Sequence, residues 1–349
     1  MRVRFSNTLL GVRGTGNALP GPLVDNDTLL GALERQTGRR EAALARKIAG
    51  RLGIRSRHVS RDLGAALSGA MPGRDAPSLC TKALNAAGAQ ELSFLIGHTA
   101  TPHTQLPGNT AWVAEKLRYE GPYTELRQAC TGFAAALMSA AAMIAEEGDE
   151  VVGIVGSETG SPFFDISRDF LDLDQIINYV QMGDGAGAIV LGRYDGSGSR
   201  ISDAYYGQIG VNRQPGIGIT GGGSAAPACD KGLPYFFHDS RAVRKHGEDL
   251  VLAGLEAIRS RGYALDDFDW ILPHQANGRI DALFRERFPE YPGRVYVTAD
   301  RLGNLGSAAI WVGLSELIRS GELEAGHKVL VLGAEASKYM FGGFVYTHA

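Results

Sequence analysis

The sequence has little cysteine, no long apolar run and almost no net charge. Its three cysteines, Cys80, Cys130 and Cys229, stand far apart among 349 residues and form no CxxC pair. That spacing argues against a disulfide framework and against a zinc site, and it fits a reducing cytosol. The longest uncharged stretch suited to a helix, Phe133 to Ala145, is well short of the roughly 18 residues that cross a bilayer. The first residues, Met1-Arg-Val-Arg-Phe-Ser, carry no apolar h-region, so no secretory leader is expected. A formal charge of −3 gives no general attraction to nucleic acid or to an acidic membrane. We therefore expect a cytoplasmic protein without a metal. What is present, 44% hydrophobic and 21% charged residues, suits one large or two medium domains with a full-sized core. Glycine is abundant, and much of it falls at the ends of strand-like segments, where tight turns are expected.

Strand-like and helical segments alternate along the chain. Arg2 to Val12 reads as a strand, Gly14 to Pro20 as a turn-rich loop, and Asp25-Asn-Asp27 as a cap for a helix near Thr28. Helical patterns follow at Arg40 to Leu52 and Ala76 to Ala87. Strands at Leu92 to Ile96 and Val151 to Val155 lead into His98 and Glu158. Asp165 to Val180 reads as a partly helical excursion, and Gly183 to Leu191 as a strand. The second half repeats this order. Strands at Phe268 to Leu272 and Lys328 to Leu332 lead into His274 and Glu335, and Gly303-Asn-Leu-Gly306 precedes a helix. His98 and His274 stand 176 positions apart, Glu158 and Glu335 177, Cys130 and Asn304 174. Such offsets indicate a tandem duplication, with halves at 1–195 and 196–349. The alternation implies α/β layers, with the buried helices of the halves packed together and sites at the carboxyl ends of strands.

Three residues at such positions suit one chemistry. Cys130 stands between a short extended segment and an Ala-, Leu- and Met-rich run that ends near Glu147-Gly148. It would lie at the N-terminus of a buried helix, where a thiol pKa can fall by about a unit or more. Alone, Cys130 reads equally as a small buried hydrophobe. His274, in Leu272-Pro-His-Gln-Ala-Asn-Gly-Arg279, and Asn304, between glycines, read alone as turn or cap residues. Together the three could act in sequence: Cys130 accepts an acyl group from a thioester, and His274 and Asn304 donate hydrogen bonds to an enolate oxygen. Gly216-Ile-Gly-Ile-Thr-Gly221 has the letters of a dinucleotide fingerprint, but no helix follows it. His98 is expected to be structural, and Cys80 and Cys229 inert.

These residues resemble the thiolase superfamily, and within it the type III ketoacyl-acyl-carrier-protein synthases. The matching motifs are Ala129-Cys-Thr-Gly-Phe133, Gly183-Asp-Gly-Ala-Gly-Ala188, Pro273-His-Gln-Ala-Asn277-x-Arg279, Gly303-Asn-x-x-Ser-Ala-Ala309 and Gly53-Ile-Arg-x-Arg-His58. The resemblance covers essentially the whole chain. It implies a homodimer of αβαβα subunits, no tightly bound cofactor, and coenzyme A or acyl-carrier-protein thioesters as substrates. It makes Cys130, His274 and Asn304 catalytic, and Arg51, Leu106, Asn277, Arg279, Tyr339 and Phe341 substrate-binding. Arg279, Arg285 and Arg287 would lie on a rim facing acidic carrier protein; they read equally as a solvated helix face. The chain departs from the family pattern in three places. Ser337-Lys-Tyr-Met340 replaces glycines, Lys47 replaces a tryptophan that stacks on adenine, and Leu106 stands where the acyl-pocket loop usually carries phenylalanine. The long stretch Ile201 to Asp239 would reline the acyl tunnel. Together these imply a specialised condensing enzyme, or one that passes its acyl group to an oxygen, nitrogen or sulfur nucleophile.

Overall fold

The computed structural model describes residues 2–147, 149–167, 169–229 and 232–349. Gly148, Arg168, Asp230 and Lys231, which fall in segments discussed above, lie outside them. The first half contains β1 (Val3–Phe5), β2 (Leu10–Ala18), β3 (Val24–Asp25), α1 (Asn26–Thr37), α2 (Arg39–Leu52) and β4 (Ser56–Arg57). It continues with α3 (Ala76–Ala86), β5 (Phe94–His98), α4 (Asn109–Leu117), β6 (Tyr123–Leu126), α5 (Gly132–Glu147), β7 (Val152–Glu158), α6 (Leu173–Gln181) and β8 (Gly185–Arg193). The second half contains β9 (Arg200–Gln208), β10 (Ile217–Thr220), β11 (Tyr235–His238), α7 (Ser240–Arg259), β12 (Trp270–Pro273) and α8 (Ile280–Arg287). It ends with β13 (Arg294–Val295), α9 (Ala299–Leu302), α10 (Ala309–Arg319), β14 (Lys328–Glu335) and β15 (Met340–Thr347).

Most strands form one sheet in the order β13-β12-β14-β15-β9-β2-β8-β7-β5-β6, with β1 paired to β9, while β3-β4 and β10-β11 are separate two-stranded sheets. The two ends of the large sheet are copies of each other. β6-β5-β7-β8-β2 and β13-β12-β14-β15-β9 share strand order, and both pair first parallel, parallel, then antiparallel, antiparallel. The copies join where Leu10 and Gly11 of β2 meet Ile201 and Arg200 of β9. The boundary expected at 195 falls in the turn between β8 and β9.

Alternating residues send each strand to two apolar layers. Val329 and Val331 of β14 and Phe344 and Tyr346 of β15 face α5 and α10 in one core, with Ile154 of β7 and Ile189 of β8. Leu330 and Leu332 of β14 face the α7 side, beside Leu250 and Leu255. Ala188 and Val190 of β8 meet Leu79 and Leu84 of α3. The order is α3, sheet, α5 with α10, sheet, α7: the layered α/β fold expected. α5 buries Phe133, Leu137, Ala140 and Ile144 against Trp311 and Leu314 of α10.

One expectation changes. Gly14 to Ala18 is strand, not loop, because its glycines admit a helix rather than form a turn. A Cβ on Gly14 or Gly16 would lie 2.2 Å from the carbonyl oxygens of Ala87 or Ala83 at the end of α3. The two excursions also pack on each other. Gln175 Nε2 and Asn178 Nδ2 of α6 both donate to the Phe236 carbonyl of β11, at 2.7 and 3.1 Å.

Candidate active site

Cys130 lies two residues before α5, in the link that follows β6. Gly132 lets this link pass the ring of His98, since a Cβ there would stand 2.6 Å from His98 Nδ1. The neighbour of Cys130, Thr131, donates its N–H and its hydroxyl to Glu335 Oε2, at 2.9 and 2.7 Å. Glu335 ends β14 and also accepts the hydroxyl of Ser337. The link before Cys130 is held from the other side, where the Ser307 hydroxyl lies 3.4 Å from the Gln128 carbonyl.

The Cys130 pKa expectation is corrected here. Burial pushes the thiol well above its ordinary range, and the Glu335 and Glu158 carboxylates add to the shift. Desolvation and two nearby acids outweigh the favourable helix end. At rest the sulfur is a thiol.

His274 follows β12, and its N–H donates to the Leu332 carbonyl of β14 at 2.7 Å. Burial lowers its imidazole to about 4, so it is neutral at neutral pH. Its Nδ1 is buried without a partner. The loop beyond is fixed by Gln275, whose Oε1 accepts from the N–H groups of Thr298 and Ala299 at 2.7 and 3.0 Å. Gln181, at the end of α6, then links the His274 loop to the Asn304 loop. Its Nε2 donates to the Ala276 carbonyl at 2.7 Å, and its own carbonyl accepts the Asn304 N–H at 2.8 Å.

Asn304 Oδ1 accepts the Gly306 N–H at 3.0 Å. That bond fixes the amide's orientation and leaves its NH₂ as the end available for donation. Three residues on, Ser307 donates its N–H and hydroxyl to Glu158 Oε2, both at 2.9 Å. Gly306 has φ of +48°, and a Cβ there would lie 2.2 Å from Glu158 Oε2. Cys130, His274 and Asn304 each keep accessible surface, while Thr131, Gln275 and Leu305 beside them are buried.

The other expected residues are placed differently. Arg51 is exposed on the last turn of α2. Arg279 is exposed and donates to the Gly50 carbonyl at 3.1 Å, so it clasps the end of α2. Asn277 accepts the Arg279 N–H at 2.9 Å and shapes the turn. Leu106 stands 90% exposed. Tyr339 and Phe341 are both 0% exposed, within the α7-side core, instead of lining an open pocket. The cause is the turn between β14 and β15, which holds Tyr339 at φ of +55° and stacks its ring edge-on to His246, 4.9 Å away. Arg285 and Arg287 pair with Asp281 and Glu248. Cys229 lines a cavity of about 280 Å³ with Phe170, Asp172 and Tyr235. The supporting residues Gln181, Gln275, Thr131 and Ser307 were not singled out from sequence. Glu158 and Glu335 were seen only as repeat markers.

Residues 124–210 match the family described as 3-oxoacyl-[acyl-carrier-protein] synthase III, and residues 258–346 match its C-terminal part. The beta-ketoacyl-[acyl-carrier-protein] synthase III of Chlorobium luteolum is 31% identical over 302 residues, which cover 85% of this chain and 88% of the relative. The chain belongs to the 3-oxoacyl-[acyl-carrier-protein] synthase III family. Among solved structures similar to this synthase III chain is AbyA1, a tetronic acid condensing enzyme, at 28% identity and a TM-score of 0.83, with 97% of this chain and 99% of that one covered. Another is the priming β-ketosynthase of the R1128 polyketide pathway, at 26% identity and 0.77, with 100% and 98% covered. The family relatives are transferases, and acyl transfer is the activity at this level. Among the described residues no helix is long and apolar enough to cross a membrane, and no group of three or more His, Cys, Asp or Glu side chains is placed to hold a metal ion.

Proposed function

We propose that this synthase III family member is a specialised condensing enzyme working through Cys130, His274 and Asn304. Cys130 attacks an acyl thioester; the new bond is carbon to Sγ, and the thiol proton leaves with the departing thiol. A malonyl thioester then loses carbon dioxide. The enolate oxygen is held by the neutral imidazole of His274 and the NH₂ of Asn304. The enolate carbon attacks the acyl group, forming a carbon–carbon bond and releasing the Cys130 sulfur. Preorganised donors of this kind are each worth about 10²–10³ in rate. The observation that carries the reading is the fixed amide of Asn304: its oxygen is taken by Gly306, so only a donor is offered. The substrates are coenzyme A or carrier-protein thioesters, the protein works in the cytoplasm, and a homodimer would give the exposed Leu106 a place to insert.

The test is to incubate the protein with an acyl thioester and weigh it. A mass gain lost in Cys130→Ala, with carbon dioxide release from malonyl thioester abolished in Asn304→Ala, supports condensation. A mass gain without carbon dioxide release supports transfer to an oxygen, nitrogen or sulfur nucleophile instead. That second reading draws on the Ser337–Met340 turn, where Tyr339 takes the left-handed conformation that favours glycine.

A further inference from the structure

Glu158 and Glu335 end β7 and β14, strands at the same place in the two copies of the sheet. Each carboxylate crosses to the other copy. Glu335, from the second copy, takes both donors of Thr131, next to Cys130. Glu158, from the first copy, takes both donors of Ser307, just beyond Asn304. Each is 2% exposed, and each gives its remaining oxygen to one more hydroxyl, that of Ser337 or Thr101. Among the described residues neither forms an ion pair with a lysine, arginine or histidine. A buried carboxylate without a cation depends wholly on such donors and on helix ends. Each carboxylate therefore caps, from outside, the helix that carries half of the site.

We propose that Glu335 and Glu158 form a crossed clamp: Glu335 positions the Cys130 link and sets a carboxylate beside it, and Glu158 positions Asn304. This rests on the condensing-enzyme reading for what the two half-sites do, but not for the state of the thiol. The titratable groups around the Cys130 link include Glu335 on β14, Glu158 on β7, Tyr206 on β9 and His98 after β5, with His274 in the proposed site; Arg127, within the link, pairs with Glu125 at 3.7 Å. Tyr206 meets Gln128 and lies 3.0 Å from Met340 Sδ. The two histidines are neutral and add no positive charge. Burial also pushes the Glu158 carboxyl up, which weakens its charge beside the thiol. A resting thiol suits a nucleophile that must wait for its thioester, since the thiolate is the form that oxidants and alkylating agents attack.

The clamp is tested by the pH dependence of iodoacetamide alkylation of Cys130, followed by intact mass. Glu335→Gln keeps an oxygen for Thr131 and removes only the charge. The midpoint should fall by about one pH unit or more, which is about tenfold faster alkylation at pH 7. Glu158→Gln should leave that midpoint within a few tenths of a unit but slow carbon dioxide release from malonyl thioester about tenfold. An unmoved or higher midpoint in Glu335→Gln overturns the proposal, as does a Glu158→Gln variant that slows acyl loading rather than decarboxylation. If Glu335→Gln is unfolded by circular dichroism, Thr131→Val provides the reading: it keeps the charge, so a midpoint lowered by a unit there overturns the proposal, and one left in place supports it. Alkylation needs no substrate. A normal alkylation result in a protein that never loads acyl groups would therefore defeat the condensing reading and leave the clamp standing.

Discussion

His98 and His274 occupy the same place in the two copies of the sheet, each following a central parallel strand, and their surroundings have diverged. His98 Nε2 accepts the indole N–H of Trp311 at 3.0 Å, and its ring is packed so closely that a Cβ on Gly156 would lie 2.4 Å from it. That bond leaves the proton on Nδ1, which is buried without a partner. His274 keeps accessible surface, whereas His98 is buried. The helix starts have diverged in parallel: one carries Cys130, the other Asn304. Duplication supplied two strand-end histidines and two helix ends, and a single buried tryptophan made one histidine structural. The histidine proposed for the chemistry is the one that keeps accessible surface.

The largest expected effect breaks this comparison directly. His274→Ala should lower carbon dioxide release about 10²–10³-fold, the loss of one donor to the enolate, with little change in the urea midpoint. His98→Ala should do the reverse. It leaves a cavity in the core and orphans the Trp311 N–H, costing about 2–4 kcal/mol in urea unfolding, while turnover per folded molecule stays near normal. If both variants lose chemistry and keep stability, the assignment of roles to the two histidines is wrong.

A smaller effect comes from protonation. Burial lowers His98 to about 3 and His274 to about 4, both from 6.5. Between pH 6.5 and about 4 the unfolded chain binds protons that the folded chain refuses. Stability from these two groups is therefore complete above pH 6.5 and falls as the pH drops through that window. The melting temperature should decline from pH 6.5 to 4, and His98→Asn, which keeps an acceptor for Trp311, should decline less steeply. Equal slopes for wild type and variant would show that His98 is not held neutral.

What the sequence disclosed follows from what is local. Alternating apolar residues and strand-ending glycines placed β5, β7, β12 and β14 to within a few residues, and the constant offsets paired their ends. Gly14 and Gly16 misled because their reason lies in α3, which no local pattern connects to them. The thiol was misjudged because its burial, and after that the acid beside it, Glu335, bonded to a residue 204 positions earlier, both arise only in the folded chain. Tyr339 was expected to bind substrate because it stands where the family carries its glycine loop. Its φ of +55° turns the ring into the core instead. Motif residues named themselves; Gln181, which ties the His274 loop to the Asn304 loop, carries no pattern beyond a single amide side chain.

The two copies also differ at their rims, and here the expected effects are smallest. In the second copy, Arg285 pairs with Asp281 at 2.8 Å and Arg287 with Glu248 at 2.7 Å. In the first copy, Arg51 on α2 is exposed and forms no ion pair among the described residues, beside the turn that Arg279 clasps. A cation already paired offers little to an incoming acid, because the exposed pair it leaves is worth about 0.2–1 kcal/mol. A free one offers its full, screened attraction. If carrier protein delivers a substrate, Arg51→Ala should raise its KM by about three- to tenfold at low salt, and Arg285→Ala by less than about twofold. Both differences should shrink as salt is added, and neither variant should change the KM for a short pantetheine thioester. A larger loss at Arg285 than at Arg51 would move the docking face from α2 to α8, because the acid would then have to displace Asp281 to reach its cation.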